Sequence, residues 1–346
     1  MADIDNLYWE KLLDKAIDEG VSDIHVAAGC SPFFRKNGRL IKQSDEILDN
    51  DMIGVLFNIF TSERERNLFS EQKNIDIARV YKKQRFRINF FEQNNGLAAA
   101  MRVIPMNIPT FDALGLPPAL KNLMEKENGL ILVTGRTGAG KSTTIASLVD
   151  HVNKSRSLNI ITLEDPVEYV YEPSLSMICQ REYGKNFLSF DDALRSAVRE
   201  DPDVIVVGEM RDAETVVTAL NAAETGHLVL ATLHTKTAAE SVLRIESFFP
   251  AVKAEQVRAQ LSIVIQAIIS QQLLPCTKGG RVCASEVLVA NQAVRHLIKL
   301  GKTQQLNSTM MTGGAIGMHT MSQSIEALWK KRLIDDKTAE KYIDKI

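Results

Sequence analysis

The sequence predicts an α/β protein in two parts: a small α+β N-terminal domain, then a domain on a mainly parallel sheet that carries a phosphate-binding loop and ends in helices. Three observations point there. From about Leu130, apolar strand-like runs at 130–134, 159–163, 203–207 and 228–232 alternate with helical runs at 141–152, 190–199, 213–224 and 238–247. That is the rhythm of a parallel sheet covered on both faces. The stretch Gly135-Arg-Thr-Gly-Ala-Gly-Lys-Ser142 lies between the first of these strands and the first of these helices, the context a G-x-x-x-x-G-K-[ST] match needs. Before residue 105 the pattern is instead short alternating strands and turns. A length of 346 residues exceeds one ordinary core, and two domains are expected. Their bounds are 1–104 and 119–346, joined by a linker at 105–118 that Pro105, Pro109, Pro117 and Pro118 punctuate.

In the first domain, Trp9–Glu19 has helical spacing and a strand is expected at Asp23–Val26. Pro32–Lys36 and Arg39–Lys42 flank Asn37-Gly38, a hairpin signal because both positions tolerate positive φ. Arg85–Phe90 alternates, turns near Asn94-Asn95-Gly96 and returns through Leu97–Ile104. Alternation puts Phe86, Ile88 and Phe90 on one face and Arg85, Arg87 and Asn89 on the other. After Pro275 a strand at Ala284–Val289 and helices at Gln292–Lys299 and Met321–Lys331 are expected.

The loop residues Gly135, Thr137, Gly138, Ala139 and Gly140 let successive backbone N–H groups turn toward an anion. The new helix, with Ser142 and Thr143 in its first turn, adds its positive end. Lys141 reaches the terminal phosphates, and the Ser142 hydroxyl is a ligand for Mg²⁺. The expected cofactors are ATP and Mg²⁺.

Hydrolysis also needs a polarised water and charge compensation. Glu164 ends the strand-like run Ile160–Leu163, which Pro166 stops; carboxyl ends of parallel strands are where doubly wound sheets bind ligands. Glu164 is the candidate for orienting or deprotonating the attacking water. In Asp203-Val-Ile-Val-Val-Gly-Glu-Met-Arg-Asp212 the usual strand-end aspartate is Gly208, and Glu209 follows. Glu209 is expected to act on Mg²⁺ through metal-bound water, and Asp212 to cap the next helix. His227 and His234 stand at either end of one apolar strand. His234 falls at the ligand end, near the γ-phosphate, and His227 is balanced between a ligand and a structural role. Arg195 and Arg199, four apart, share a helix face suited to a subunit interface. Arg87 and Arg102 lie on paired strands, where a moving domain can deliver them to a phosphoryl group.

Apolar residues form 45% and charged residues 24% of the chain, with a formal net charge of −2. That is a folded-protein balance without a basic field for nucleic acid, so no nucleic-acid partner is expected. Cys30, Cys179, Cys276 and Cys283 form no C-x-x-C pair, which fits reduced thiols and gives no zinc site. The start carries acids where a signal peptide carries lysine and arginine, and no apolar run approaches the ~20 residues that span a bilayer. A cytoplasmic location follows, with any membrane contact through partners.

Together these segments resemble the secretion ATPases of type II and type IV machinery. The matching pieces are Ser22–His25, Phe34–Gly38, the loop at 135–142, Glu164–Glu168, Gln180–Glu182, Leu194–Asp212, Ala223–Thr235 and Phe249-Pro250. Ala293–Ile298 and Gly317–Met321 resemble the retraction-motor branch of that family, apart from two substitutions in the first. The resemblance implies a homohexameric ring of subunits with a PAS-like N-terminal and a RecA-like C-terminal domain, with ATP between the two. It puts Glu164 and Glu209 on the catalytic and Walker B glutamates, His227 and His234 on the histidine box, and Arg87 and Arg102 on the phosphate-facing arginines. It further implies pilus retraction in the cytoplasm at the inner membrane, through an inner-membrane platform protein and indirectly the pilin filament. The competing readings are an assembly or secretion ATPase of the family, a RecA-type translocase and a regulatory ATP-binding subunit.

Overall fold

A computed structural model describes residues 2–36, 38–104 and 107–343. The chain divides into two compact units, Met1–Asn107 and Ile108–Ile346.

The smaller unit runs through α1 (Ala2–Asp18), β1 (Asp23–Ala27), β2 (Phe33–Lys36), β3 (Arg39–Lys42), α2 (Asn50–Phe60), α3 (Glu63–Gln72), β4 (Asn74–Tyr81), β5 (Gln84–Gln93) and β6 (Gly96–Ile104). Its six strands form an antiparallel sheet in the order β3-β2-β1-β6-β5-β4. Phe86, Ile88 and Phe90 are fully buried with Trp9, Ile24, Phe34 and Leu56, as period-two alternation requires. Of the Asn37-Gly38 turn, Asn37 lies outside the described residues; Gly38 has a φ of 81°. The opposite sheet face carries a cross-strand row in which Arg87 is paired with Arg102, Arg102 with Asp23, and Asp23 with Arg35.

The larger unit begins with a 3-10 turn at Phe111–Leu114 and α4 (Ala119–Leu123). It continues through β7 (Gly129–Thr134), α5 (Lys141–Ser155), β8 (Asn159–Glu164), β9 (Met177–Glu182), α6 (Phe190–Ala197), β10 (Val204–Val207) and α7 (Ala213–Glu224). Next come β11 (Leu228–Leu233), α8 (Ala238–Ser247), α9 (Ala254–Val264), β12 (Ile265–Pro275) and β13 (Arg281–Val289). The chain closes with α10 (Gln292–Lys299), α11 (Leu306–Thr312), α12 (Met321–Lys330) and α13 (Asp336–Ile343). Seven strands lie in the order β13-β12-β7-β11-β10-β8-β9, parallel except for the antiparallel β12–β13 pair.

The core strands β7, β10 and β11 are buried along their whole length, which is why they read as continuous apolar runs. Of the stretch expected as a linker, Pro105 and Met106 lie outside the described residues. Phe111 and Leu116 are buried with Ile131, Ile145 and Leu148, so its later part packs with the larger unit. Among the described residues no helix is long and apolar enough to cross a membrane.

Candidate nucleotide site

Strand β7 delivers the chain to the loop 135–140, and α5 takes it away from Lys141 onward. Gly135, Gly138 and Gly140 have φ of 148°, 79° and 90°, values that leave little room for a side chain. At Gly135 the limit is also steric, because a Cβ there would collide with the Gln271 carbonyl oxygen of β12. The Gln271 side chain donates to the Ala139 carbonyl at 2.8 Å, and buried Thr134 donates to Ser270 at 2.9 Å. Strand β12 thus fixes the loop from its far side.

Buried Lys141 donates from Nζ to the Gly135 carbonyl at 2.8 Å and the Arg136 carbonyl at 3.3 Å. Burial pushes its ammonium below the usual lysine range, against the pull of Glu209 and Glu168. Its Nζ also meets His234 Nδ1 at 3.5 Å, and His234 Nε2 lies 3.2 Å from Glu209 Oε1. A neutral imidazole with its proton on Nε2 serves both contacts, accepting from Lys141 and donating to Glu209. Glu209 Oε2 accepts from Arg211 at 2.8 Å, and Arg211 continues to Asp165 at 3.1 Å. A continuous polar line therefore runs from the loop lysine across the strand ends of β11, β10 and β8.

Glu164 closes β8 beside this line. Thr162 donates to its Oε1 at 2.6 Å and Gln180 of β9 at 3.1 Å. Burial pushes the Glu164 carboxyl up from the ordinary glutamate range, opposed by these donors. A cavity of ≈ 40 Å³ lies between Glu164, Ser142, Tyr169, Tyr171, Gly208 and Thr232, room on the scale of a water molecule. Thr143, one residue beyond Ser142, shares a 2.9 Å hydrogen bond with Tyr169.

The glycine in place of a strand-end aspartate has a packing cause. A Cβ at Gly208 would stand 2.9 Å from the Leu163 carbonyl oxygen and 3.3 Å from Glu164 Cα. The Gly208 amide donates to that same carbonyl at 2.7 Å. The first acid with room is the next residue, Glu209.

Lys141, Ser142, Thr143, Glu164, Glu209 and His234 are all brought to one end of the sheet. His227 is not, since it precedes β11 and His234 follows it. The His227 Nδ1 instead meets the Ala222 carbonyl at 3.0 Å, so within one chain the structural role is the one it fills. Asp212 caps α7 by accepting from the Thr215 amide at 2.8 Å. Arg195 pairs with Asp191 at 2.8 Å and with Arg199 borders an open groove on α7. In the smaller unit, Arg87 pairs with Asp76 at 2.6 Å and Arg102 with Asp23 at 3.1 Å. Among the described residues no group of three His, Cys, Asp or Glu side chains could hold a metal. A cation here would rest on Ser142, Glu209 and a ligand's own oxygens.

Thr162, Gln180, Arg211 and Gln271 also belong to the site, though the sequence alone did not single them out for it. Thr162 stands two residues before Glu164 and so shares its face, a signal present in the sequence. Gln180 and Gln271 lie on β9 and β12, strands that periodicity did not reveal.

The family model for type II/IV secretion system proteins matches residues 2–333. The chain belongs to this family. Within the type II/IV secretion family it is 41% identical to the type IV pilus retraction ATPase PilT of Pseudomonas aeruginosa over 330 residues, 95% of this chain and 96% of that one. It is 37% identical over 328 residues to the type IV pilus ATPase PilU of the same organism, covering 93% of this chain and 85% of that protein. A crystal structure of the pilus retraction motor PilT with bound ADP superposes with a TM-score of 0.86 at 47% identity, covering 95% of each chain.

Proposed function

We propose that the chain is a Mg²⁺-dependent ATPase that works as a cytoplasmic homohexamer and drives type IV pilus retraction. The observation that carries the catalytic part is the line Lys141–His234–Glu209 at the mouth of the phosphate loop, with Glu164 held beside it. The loop suits a triphosphate tail: three glycines with positive φ precede a 15-residue helix whose first amides carry partial positive charge. Lys141 would bind the terminal phosphates. Ser142 would hold Mg²⁺ directly and Glu209 through its hydration shell, oxygen donors that suit a hard cation. Mg²⁺ supplies neutralisation of the charge that develops on the phosphate oxygens.

Glu164 would accept the proton of the attacking water, and its raised affinity for protons brings it nearer to neutrality, where a base is most effective. His234 joins Lys141 to Glu209, so phosphate loss at the lysine is felt at β10 and β11. Charge compensation is proposed for Arg87 and Arg102, which pair with Asp76 and Asp23 within the smaller unit.

Similarity to PilT along almost the full length of both chains supports retraction over assembly. The output would pass to an inner-membrane platform protein and through it to the pilin filament, with the membrane reached only through partners. Deleting the gene in its native bacterium and imaging filaments tests direction: excess surface pili support retraction, and bald cells contradict it.

A further inference from the structure

Gln180 sits in the middle of β9, and three polar contacts converge on its side chain. Its Nε2 donates to Glu164 Oε1 at 3.1 Å and to the Tyr169 carbonyl at 2.7 Å. Its Oε1 accepts from the Tyr171 amide at 3.3 Å. The amide therefore ties the segment after Glu164 to the sheet edge and holds one carboxylate oxygen of Glu164 at the same time. With the Thr162 hydroxyl on the same oxygen, the rotation of the carboxylate is set. The Glu168 backbone amide, from the segment after β8, also donates to this carboxylate.

We infer that Gln180 is the positioning residue of the hydrolytic base, fixing the orientation of the Glu164 carboxylate through Oε1. This rests on the reading of Glu164 as that base. Gln180 touches neither water nor nucleotide in this role and acts only through Glu164. The assignment explains why a glutamine stands here: an amide can donate to a carboxylate and a carbonyl while accepting from a backbone amide, which no carboxylate or aliphatic side chain does. It also gives β9 a catalytic purpose.

The same geometry sets a pH signature. Burial raises the Glu164 carboxyl, while Thr162, Gln180 and the Glu168 backbone amide hold it down. The ionisable groups around it are Glu168, Tyr169 and Tyr171 from the segment after β8, with Asp150 of α5 facing Tyr171. The residues of β10 and β11 that share its cavity are Val206, Gly208 and Thr232, none of which titrates. Removing the Gln180 donor leaves burial and the Glu168 charge less opposed, so Glu164 takes up its proton at higher pH.

The test is phosphate release from ATP by the full chain across about pH 5–9, with Gln180→Met, Glu164→Gln and the double variant. Gln180→Met is expected to lower kcat at least ~10-fold near neutral pH, keep KM for ATP within ~2-fold and move the acid limb of kcat to higher pH. In the Glu164→Gln background it is expected to cost nothing further. A loss independent of pH, or one that adds fully to Glu164→Gln, overturns the assignment. Where Gln180→Met fails to fold, Gln180→Glu serves: a second carboxyl beside Glu164 moves the acid limb up, and an unmoved limb overturns the assignment. Wild-type turnover in Glu164→Gln itself would instead remove the base, a result separable from the others.

Discussion

At single residues the site is governed by how closely backbones approach one another. Gly208 lies where β10 and β8 leave no space for a Cβ, 2.9 Å from the Leu163 carbonyl. Gly208→Ala is expected to destabilise the larger unit by ~1–3 kcal/mol, read from the midpoint of denaturant unfolding; an unchanged midpoint would show that the strands part freely. Lys141 is buried and donates across the loop to two carbonyls, so its ammonium is already aimed along the loop. Lys141→Ala is expected to abolish binding of a fluorescent ATP analogue, and retained binding would contradict the loop's role. These residues were legible in sequence because glycine spacing and a lysine before a helix carry a mechanism of their own. The roles of Thr162, Gln180 and Arg211 were not, since each depends on which strands lie side by side. His227 shows the converse limit: sequence put it at the opposite end of an apolar strand from His234 and left its role open, and its contact with the Ala222 carbonyl appears only once α7 and β11 are placed.

At the scale of elements, strands β7, β8, β10 and β11 and helices α5 to α8 stand close to where apolar runs and caps predicted them. What escaped has a physical cause. Helix α9 passes directly into β12 at Ile265, with no glycine or proline to mark the change. Strand β9 is a sheet edge with mixed burial, so its residues show no clean period. Helix α3 has no buried residue, which leaves no apolar stripe to read.

The C-terminal helices depend on a buried carboxylate that sequence did not single out. Glu286 of β13 accepts from the Ala238 amide at 2.7 Å and from the Met321 amide, at the starts of α8 and α12. Burial raises its carboxyl above the ordinary glutamate range. The folded state then holds a proton the unfolded state has released, so its contribution falls as pH rises from that range through the raised value. Glu286→Gln is expected to flatten this fall in thermal stability over that window while costing ~1–3 kcal/mol from one mispaired helix start. An unchanged slope would assign the pH dependence elsewhere.

At the scale of the whole molecule, two units are joined in one chain, one presenting a row of arginines on a sheet face and the other a nucleotide loop at the strand ends. On the proposed role of Arg102 in charge compensation, Arg102→Ala is expected to lower kcat more than affinity for ATP; an equal loss in both would contradict that role. Light scattering of the full chain with ATP is expected to give the mass of six subunits, and a monomer at working concentration would contradict the ring. Both readings stand on the claim that Lys141, Glu164 and Glu209 form a site that hydrolyses ATP. The direct measurement is ATP affinity and phosphate release, side by side, for the wild-type chain and Glu164→Gln. Equal affinity and a kcat reduced about 100-fold are expected in the variant; turnover equal to wild type, or none in the wild type, would rule out this site.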